Sequence, residues 1–459
     1  MSRTVLVLVR RKVVLEDAAV LVRALLEDGR YVPRIVCAQP EIAAALQEAV
    51  ETRLEFVDFA GRAVDSRAVS LPPGEPPARS VRSGLRRSLV LRSLVMFARL
   101  VRGDWRMAAL FRDPLPAAVL VFEDRAAYPE MVFLAHARHH GVRSLLVSFA
   151  ASSVESDATA RRDRPDHLID VPPWRALKRW LANRYPNQAR DTPWGRMLFF
   201  SAPESLALAA TNLLDGRNWH YGGGAVDACT KLSKEDLENA RAEGAPIEKF
   251  IVAGQPMMDA MYQSRARAAE IRAALAAKYL LRLDGPFLVC AVPQAGEHAL
   301  VDWERHMELT ATLFRALGAS GGNVLLSLHP RSRPETYAAL ARESGCCLLE
   351  ERLSGVLAVA DIFVASYSST VRWALLMGIP TIMIDLLGFG YEQFAGLPGS
   401  VVTRDATELR RVLQKLIADT GERDRMGREA AAQAAGREIF DGRVCARIIE
   451  ALNKDRRAT

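Results

Sequence analysis

Short apolar runs alternate with segments of helical periodicity through the second half of the chain. The runs lack the in-and-out alternation of a half-exposed strand, so they predict strands buried on both faces. Buried strands that alternate with helices indicate a parallel, doubly wound α/β sheet. The predicted strands are 287–293, 323–330, 346–350, 361–367 and 381–387, and the predicted helices are 302–318, 333–344, 353–360, 369–377, 406–418, 422–437 and 441–455.

The first half repeats this alternation less regularly, which predicts a second Rossmann-like domain. We therefore expect two Rossmann-like domains that face each other across a cleft, 1–245 and 246–459, with the C-terminal helices closing the second. Two basic insertions, 66–114 and 155–200, would belong to the first domain. The predicted strands of this half are 4–9, 33–38, 53–59, 117–124 and 142–149, and the predicted helices are 15–28, 40–51 and 126–140.

Polar residues at strand ends are the candidates for binding, because ligands of such sheets lie beyond the carboxyl ends of the strands. An imidazole there can protonate or hydrogen-bond a phosphate oxygen, and hydroxyls with free N–H groups at a helix start bind phosphate. The structural alternatives are a strand-capping His and a plain Ser helix cap. The candidates at two strand ends are His329, Pro330, Arg331, Ser368, Ser369 and Thr370.

Two further strand ends of the second half carry weaker signals. Glu350 and Glu351 follow the third strand, where a carboxylate can accept hydrogen bonds from a ribose diol. A solvated acidic pair is the alternative. Gln294 and Gly296 follow the first strand and are candidates for lining a nucleotide site.

The ordered set of His329-Pro330, a Glu at the next strand end and Ser368-Ser369-Thr370 resembles bacterial GT-B glycosyltransferases. It is most similar to those that use CMP-activated sugars, the sialyltransferases and the Kdo transferases. The stretch VAGQPMMDAM (252–261) is also similar to a segment that precedes the C-terminal domain of many polysaccharide transferases. The resemblance covers roughly 250–420, and the first half matches only in type.

The resemblance implies a metal-independent transferase of surface polysaccharide, capsule or lipopolysaccharide synthesis, with a nucleotide-sugar co-substrate and no cofactor. The donor would be a CMP-sugar such as Kdo or a nonulosonic acid. His329 with Ser368 and Ser369 would hold the donor phosphate, and Glu350 or Glu351 the ribose.

The first domain would then supply the group that activates the acceptor hydroxyl. Glu123 and Asp124 stand at the end of the predicted strand 117–124, and either is a candidate base. Helix capping by Asp124 and a solvated Glu123 are the alternative. The segment 218–227 offers His220, Tyr221 and three glycines, Gly222, Gly223 and Gly224, as a cleft surface for sugar or acceptor, or as a plain loop.

Charge is distributed unevenly. The chain holds 61 Lys and Arg against 54 acids, a formal charge of +7, yet 79–112 alone carries +8 and 161–190 carries +5. The first patch reads as a basic amphipathic helix or helix pair over 83–111. The second offers Trp174, Trp180 and Tyr185 beside Lys178 and Arg179 for a membrane interface. We expect contact with an anionic membrane; a core-packing helix with a solvated Arg face is the alternative.

No nucleic-acid signature accompanies the arginines, and six Cys without CxxC spacing predict neither disulfides nor a zinc site. With no run long enough to span a bilayer, we expect a cytoplasmic protein with peripheral contact at the inner face of the plasma membrane.

Three alternative functions stay open. They are a UDP-sugar transferase, a UDP-GlcNAc 2-epimerase-like enzyme and a non-catalytic saccharide-binding or scaffold protein. The sequence leaves undecided the donor sugar, the acceptor, inversion or retention, and the oligomeric state.

Overall fold

A computed structural model describes residues 3–66, 89–112, 114–150, 152–297, 300–329, 332–366, 368, 370–388, 396–435 and 439–453. The chain forms two compact units. Unit 1 contains Met1–Met257 and Arg443–Thr459, and unit 2 contains Met258–Gly442. Pro330, Arg331 and Ser369, three of the predicted site residues, lie outside the described residues, as does 67–88 of the first basic insertion.

Unit 1 is built on a parallel seven-stranded sheet in the order β3-β2-β1-β4-β5-β8-β9. Its strands are β1 (Arg3–Leu8), β2 (Tyr31–Val36), β3 (Glu55–Val57), β4 (Ala118–Val121), β5 (Arg143–Leu146), β8 (Ala228–Lys231) and β9 (Phe250–Val252); β6 (Ala189–Thr192) and β7 (Gly195–Leu198) form an antiparallel hairpin. Its helices are α1 (Leu15–Asp28), α2 (Pro40–Val50), α3 (Leu89–Met107), α4 (Glu130–His139), α5 (Val154–Thr159), α6 (Arg175–Arg184), α7 (Ala202–Ala210), α8 (Lys234–Ala242) and α17 (Val444–Asn453).

Unit 2 is built on a parallel six-stranded sheet in the order β12-β11-β10-β13-β14-β15. Its strands are β10 (Phe287–Ala291), β11 (Asn323–Ser327), β12 (Cys347–Leu348), β13 (Ile362–Ala365), β14 (Thr381–Ile384) and β15 (Ser400–Thr403). Its helices are α9 (Met257–Ala266), which starts at the unit boundary, α10 (Ala268–Tyr279), α11 (Trp303–Gly318), α12 (Pro334–Glu343), α13 (Leu353–Val356), α14 (Thr370–Leu376), α15 (Ala406–Ala418) and α16 (Thr420–Ala435). Short 3₁₀ turns lie at Lys12–Val14, Ala108–Phe111, Pro186–Gln188, Ile247–Lys249 and Leu357–Val359.

The central strands are apolar on both faces because helices cover both sides of each sheet. Every residue of β4 and β13 is buried. The prediction of two parallel, doubly wound α/β units is confirmed. Sequence periodicity missed β8, because the polar Thr230 and Lys231 are buried in it. Lys231 stacks its ammonium 4.2 Å from the Phe250 ring centroid and donates to the carbonyl of Tyr221.

The last helix corrects the expected domain limits. We expected a boundary at 245/246 and all C-terminal helices in the second domain, but α17 belongs to unit 1. Two contacts fix it there: Tyr31 Oη donates to Asn453 Oδ1 at 2.8 Å, and Arg143 Nε donates to the carbonyl of Ala451 at 3.0 Å. The apolar face of α17 thus covers unit 1.

The second basic patch is less exposed than its composition indicates. Lys178, expected at a membrane interface, is buried, and its ammonium donates to the carbonyls of Pro165, Leu168 and Val171. Its charge therefore holds the chain before α6 in place and is not available to lipid. Trp180 of the same helix is half exposed.

In both sheets the strand order reverses beside the first strand, at β1/β4 in unit 1 and β10/β13 in unit 2. The crevice beyond the carboxyl ends at such a switch point is the usual ligand position in open α/β sheets. Arg11 and Glu123 follow the two strands in unit 1, and Gln294 and Ser368 follow them in unit 2.

Candidate active site

A cavity opens at the switch point of unit 1, and a second cavity adjoins it. One, of about 760 Å³, is lined by Arg11, Glu123 and Arg125, and we call it the Glu123 cavity. The other, of about 880 Å³, is lined by Arg92 and Asp166. Five residues line both cavities, which together form the unit 1 chamber: Met96, Arg99, Arg164, His167 and Glu204.

Glu123 is held with one oxygen hydrogen-bonded and the other in a longer ion pair with Arg11. Its Oε1 accepts from the backbone N–H of Asp124 (3.1 Å) and of Arg125 (3.0 Å) and from Arg125 Nε (3.3 Å). Its Oε2 lies 3.6 Å from Arg11 Nη1, beyond hydrogen-bond distance. Within the part of the chain that the structure describes, no hydrogen bond reaches Oε2. This oxygen therefore keeps its capacity to accept from a hydroxyl in the cavity.

Asp124 faces the opposite way and is fully buried. Its carboxylate accepts from the backbone N–H of Gly222 (3.3 Å) and of Gly224 (2.9 Å), and burial raises its pKa to about 6. A Cβ on Gly224 would lie 2.8 Å from Asp124 Oδ2, so the contact needs glycine. Of the two carboxylates, the geometry favours Glu123 for chemistry and makes Asp124 the anchor of the glycine loop.

The segment that holds His220, Tyr221 and the three glycines is buried against the end of β4. Tyr221 is buried and donates to the carbonyl of Phe122 at 2.7 Å. His220 is buried against Arg190, and this burial lowers its pKa to about 4. The expected stacking surface of His220 and Tyr221 is therefore corrected to an interior support, because neither ring is accessible.

The arginines that line the unit 1 chamber fall into two groups, those paired with carboxylates and those that are not. Arg125 pairs with Asp157 and Glu123, and Arg161 pairs with Asp157 at 3.1 Å, so both are neutralised. Arg99 and Arg164 line both cavities, are exposed, and have no carboxylate partner among the described residues. Sequence reasoning missed these arginines because only the fold brings their segments together. Arg11, three residues after the end of β1, had the strand-end position that could have identified it.

In unit 2 the predicted residues follow three neighbouring strands. His329 follows β11, Ser368 follows β13, and Gln294 follows β10, which lies between them. Ser368 Oγ lies 2.7 Å from Thr370 Oγ1 and accepts from the Thr370 N–H at 3.3 Å. The parallel register thus brings an imidazole and the hydroxyls to the same edge of the sheet.

A buried network not anticipated from the sequence braces this edge. Glu297, after β10, accepts from Tyr337 Oη of α12 at 2.8 Å and from Ser332 Oγ, and the N–H of Ser332 donates to the carbonyl of His329 at 2.8 Å. His306 of α11 joins through Tyr337 Oη, also at 2.8 Å. A Cβ on Gly296 would lie 2.9 Å from the His306 ring, so glycine is required beside the network.

The acidic pair after β12 is tied to α10. Glu351 accepts from Lys278 Nζ at 2.6 Å and from Tyr279 Oη at 2.7 Å, so both its oxygens are engaged. Glu350 pairs with Lys278 at 2.8 Å and is exposed. Glu350 therefore keeps more acceptor capacity for a ribose than Glu351 does.

The described residues show neither a cluster of metal ligands nor a membrane-spanning helix. No group of three or more His, Cys, Asp or Glu side chains in them is arranged to hold a metal ion. No described helix is both long and apolar enough to cross a bilayer.

No protein-family model matches the chain, and no curated protein matches it in sequence. Solved structures do match. UDP-GlcNAc 2-epimerase from Neisseria meningitidis, bound to UDP-GlcNAc, superposes with a TM-score of 0.54 at 13% identity, over 98% of this chain and 100% of the other. The calicheamicin glycosyltransferase CalG4 gives 0.51 at 15% identity, over 98% of each chain. The wall teichoic acid polymerase TagF, soaked with CDPG, gives 0.51 at 11% identity, over 98% and 88%.

The chain has the GT-B fold. The resemblance drawn from the strand-end residues is thereby confirmed at the level of architecture. At these identities the likeness establishes the fold alone, because GT-B proteins of this kind include both sugar transferases and sugar epimerases.

Proposed function

We propose that this GT-B protein is a glycosyltransferase that moves a sugar from a nucleotide donor to a saccharide acceptor. The observation that carries the proposal is Glu123, which stands at the switch point of unit 1, lines a cavity of about 760 Å³ and has an Oε2 that accepts no hydrogen bond from the described residues. The acceptor binds in the unit 1 chamber. The nucleotide-sugar binds at the strand ends of unit 2.

Glu123 acts as the general base. Its Oε2 takes the proton of an acceptor hydroxyl while that oxygen attacks the anomeric carbon and the bond from that carbon to the donor phosphate breaks. A positioned base of this kind contributes about 10²–10⁴ in rate. The two backbone N–H groups on Oε1 fix the rotamer, so Oε2 alone faces the acceptor.

His329 and the hydroxyls of Ser368, Ser369 and Thr370 meet the charge that develops on the departing phosphate, flanked by Pro330 and Arg331. Donors placed before the reaction stabilise such charge without reorganisation. The Glu297 network supports this role, since it fixes the loop that carries His329. Gln294 lines the nucleotide, and Glu350 or Glu351 takes the ribose.

The donor in this proposal is a CMP-sugar, such as Kdo or a nonulosonic acid, and the setting is cytoplasmic synthesis of a surface polysaccharide or glycolipid. Calorimetry of the full chain with CMP, CDP and UDP tests it. We expect CMP to bind, and His329→Ala to weaken that binding. Binding of UDP without CMP would overturn the CMP-sugar donor and leave a UDP-sugar transferase or an epimerase-like enzyme.

A UDP-GlcNAc 2-epimerase-like activity is the second candidate, favoured by the similarity to the Neisseria meningitidis enzyme. The two activities separate by acceptor demand. An epimerase converts UDP-GlcNAc alone, which proton NMR of the nucleotide-sugar detects, whereas a transferase releases nucleotide only when an acceptor is present. A saccharide-binding scaffold would do neither.

A further inference from the structure

Helix α3 carries an apolar stripe that faces solvent. The stripe residues recur at helical spacing and are between 38% and 78% exposed: Val90, Leu94, Phe97, Val101 and Trp105. At about 100° per residue they span roughly 80° of the helix surface. We call this set the α3 stripe. Exposed apolar area of this kind is unfavourable in water, and large contiguous patches on a soluble protein usually mark an interaction site.

The orientation of α3 is fixed by its other side. Leu100, Gly103 and Met107 are buried, and α3 packs on α4 and α7. Gly103 sits so close to Tyr128 that an added Cβ would lie 2.2 Å from the ring. The helix is thus locked against unit 1, and the α3 stripe points away from that contact.

The charged residues of α3 indicate which kind of partner the α3 stripe binds. Arg102 and Arg106 form an arginine arc that begins about 60° from Trp105 on the helix wheel. Arg92 of the same helix pairs with Asp166, and Arg99 lines the unit 1 chamber, so neither belongs to this arc. The helix has one acid, Asp104, which pairs with His136 at 3.0 Å. Bulky apolar residues beside an arginine face are typical of helices that lie in the headgroup region of an anionic bilayer. A two-fold contact between copies of this chain would set each arginine arc against its like.

Helix α6 is a second element of unit 1 that lies near the start of α3. Helix α6 also packs on α7, and Leu89 at the start of α3 packs into the cluster that holds Leu177 and Leu181 of α6. Trp180, on α6, is half exposed, and the neighbouring Arg179 pairs with Asp170 at 2.8 Å. Trp is enriched at the headgroup level of bilayers.

We propose that the α3 stripe docks unit 1 on an anionic membrane surface, with the arginine arc on the lipid headgroups. The same helix carries Met96 and Arg99 into the unit 1 chamber. Docking therefore holds the chamber at the membrane surface, which fits a lipid-linked saccharide as acceptor. This last step rests on the proposed transferase function, whereas the docking itself does not.

Vesicle sedimentation of the full chain tests the docking without nucleotide or sugar. Wild-type protein is mixed with phosphatidylcholine vesicles in which about one lipid in three is the anionic phosphatidylglycerol. We expect binding at low salt that fades at high salt. Leu94→Ser/Trp105→Ser should reduce bound protein at least tenfold. The double variant Leu115→Ser/Leu283→Ser, which changes two exposed leucines elsewhere, should bind as wild type.

The outcomes distinguish two occupants of the α3 stripe, an anionic membrane and a second copy of this chain. Circular dichroism must show that both double variants melt as wild type, which their exposure makes the expected result. Absence of vesicle binding by wild type at low salt overturns the proposal. So does a dimer in sedimentation velocity that Leu94→Ser/Trp105→Ser abolishes without any vesicle binding, since a second copy would then cover the α3 stripe. If wild-type protein binds vesicles but transfers no sugar, the catalytic proposal is refuted and the docking proposal stands.

Discussion

The two units share a parallel doubly wound sheet and present different chemistry at the same edge of it. In unit 1 the strand ends carry carboxylates and arginines around an open chamber. In unit 2 they carry an imidazole, hydroxyls and a glutamate-tyrosine network. Since β4 of unit 1 and β13 of unit 2 are both apolar and buried throughout, the difference lies in the few residues that follow such strands. The fold therefore sets where ligands bind, and these residues set which ligand each unit takes.

The largest effect is expected at the carboxylate of unit 1. Glu123→Gln keeps an oxygen that can accept the backbone hydrogen bonds but removes the base, so transfer should fall about 10²–10⁴-fold while nucleotide affinity is unchanged. Steady-state kinetics and calorimetry measure the two quantities. Glu48→Gln, at an exposed position on α2, is the matched control. Transfer at the wild-type rate in Glu123→Gln would remove this residue from the mechanism.

The corresponding change in unit 2 should separate the two edges. His329→Ala is expected to lower kcat about 100-fold and also to weaken nucleotide binding, because the imidazole meets the donor phosphate. His139→Ala, at an exposed position on α4, controls for loss of a histidine. If His329→Ala raised only the KM for the acceptor, the assignment of donor and acceptor to the two units would be reversed.

These two residues were reached from sequence because each follows a strand whose apolar pattern is unmistakable. The same rule pointed to Asp124, yet the fold turned this side chain inward. His220 and Tyr221 were predicted from their aromatic and glycine-rich segment instead, and both are buried as well. Sequence position tells that a residue ends a strand, but not which way its side chain points.

The chamber arginines show the opposite difficulty. Arg99 and Arg161 are far apart in sequence and in no strand-end pattern, so only packing reveals that they line one space. The placement of α17 on unit 1 was equally hidden, since it depends on contacts such as Tyr31 with Asn453.

A substitution at Asp124 tests the stability of the protein and not the transfer reaction. Asp124→Ala leaves the N–H groups of Gly222 and Gly224 without their acceptor, which should lower the free energy of unfolding by about 2 kcal/mol. Denaturant titration measures it, with Glu48→Ala as control. Wild-type stability in Asp124→Ala would show that the glycine loop is held by other contacts.

The pH dependence sharpens this test. The folded pKa of Asp124, about 6, exceeds its ordinary value of 3.8, so the folded state binds the proton more tightly. The part of its contribution to stability that depends on protonation is fully present below about pH 4 and is lost as the pH rises through 6. Asp124→Ala should flatten the stability profile across that interval. An unchanged profile would assign the titration to another group.

The smallest effect is expected at the two arginines that line both cavities of the chamber. Arg99 and Arg164 lack a carboxylate partner among the described residues, so their charge is free to meet an anionic group on the acceptor. Each Gln substitution should raise the dissociation constant of inorganic pyrophosphate, used as a probe, about tenfold in calorimetry, the effect of one charge-assisted hydrogen bond. Arg23→Gln, exposed on α1, should have no effect. Equal binding by all three variants would mean that the chamber does not select for anions, and that paired arginines such as Arg125 only shape its wall.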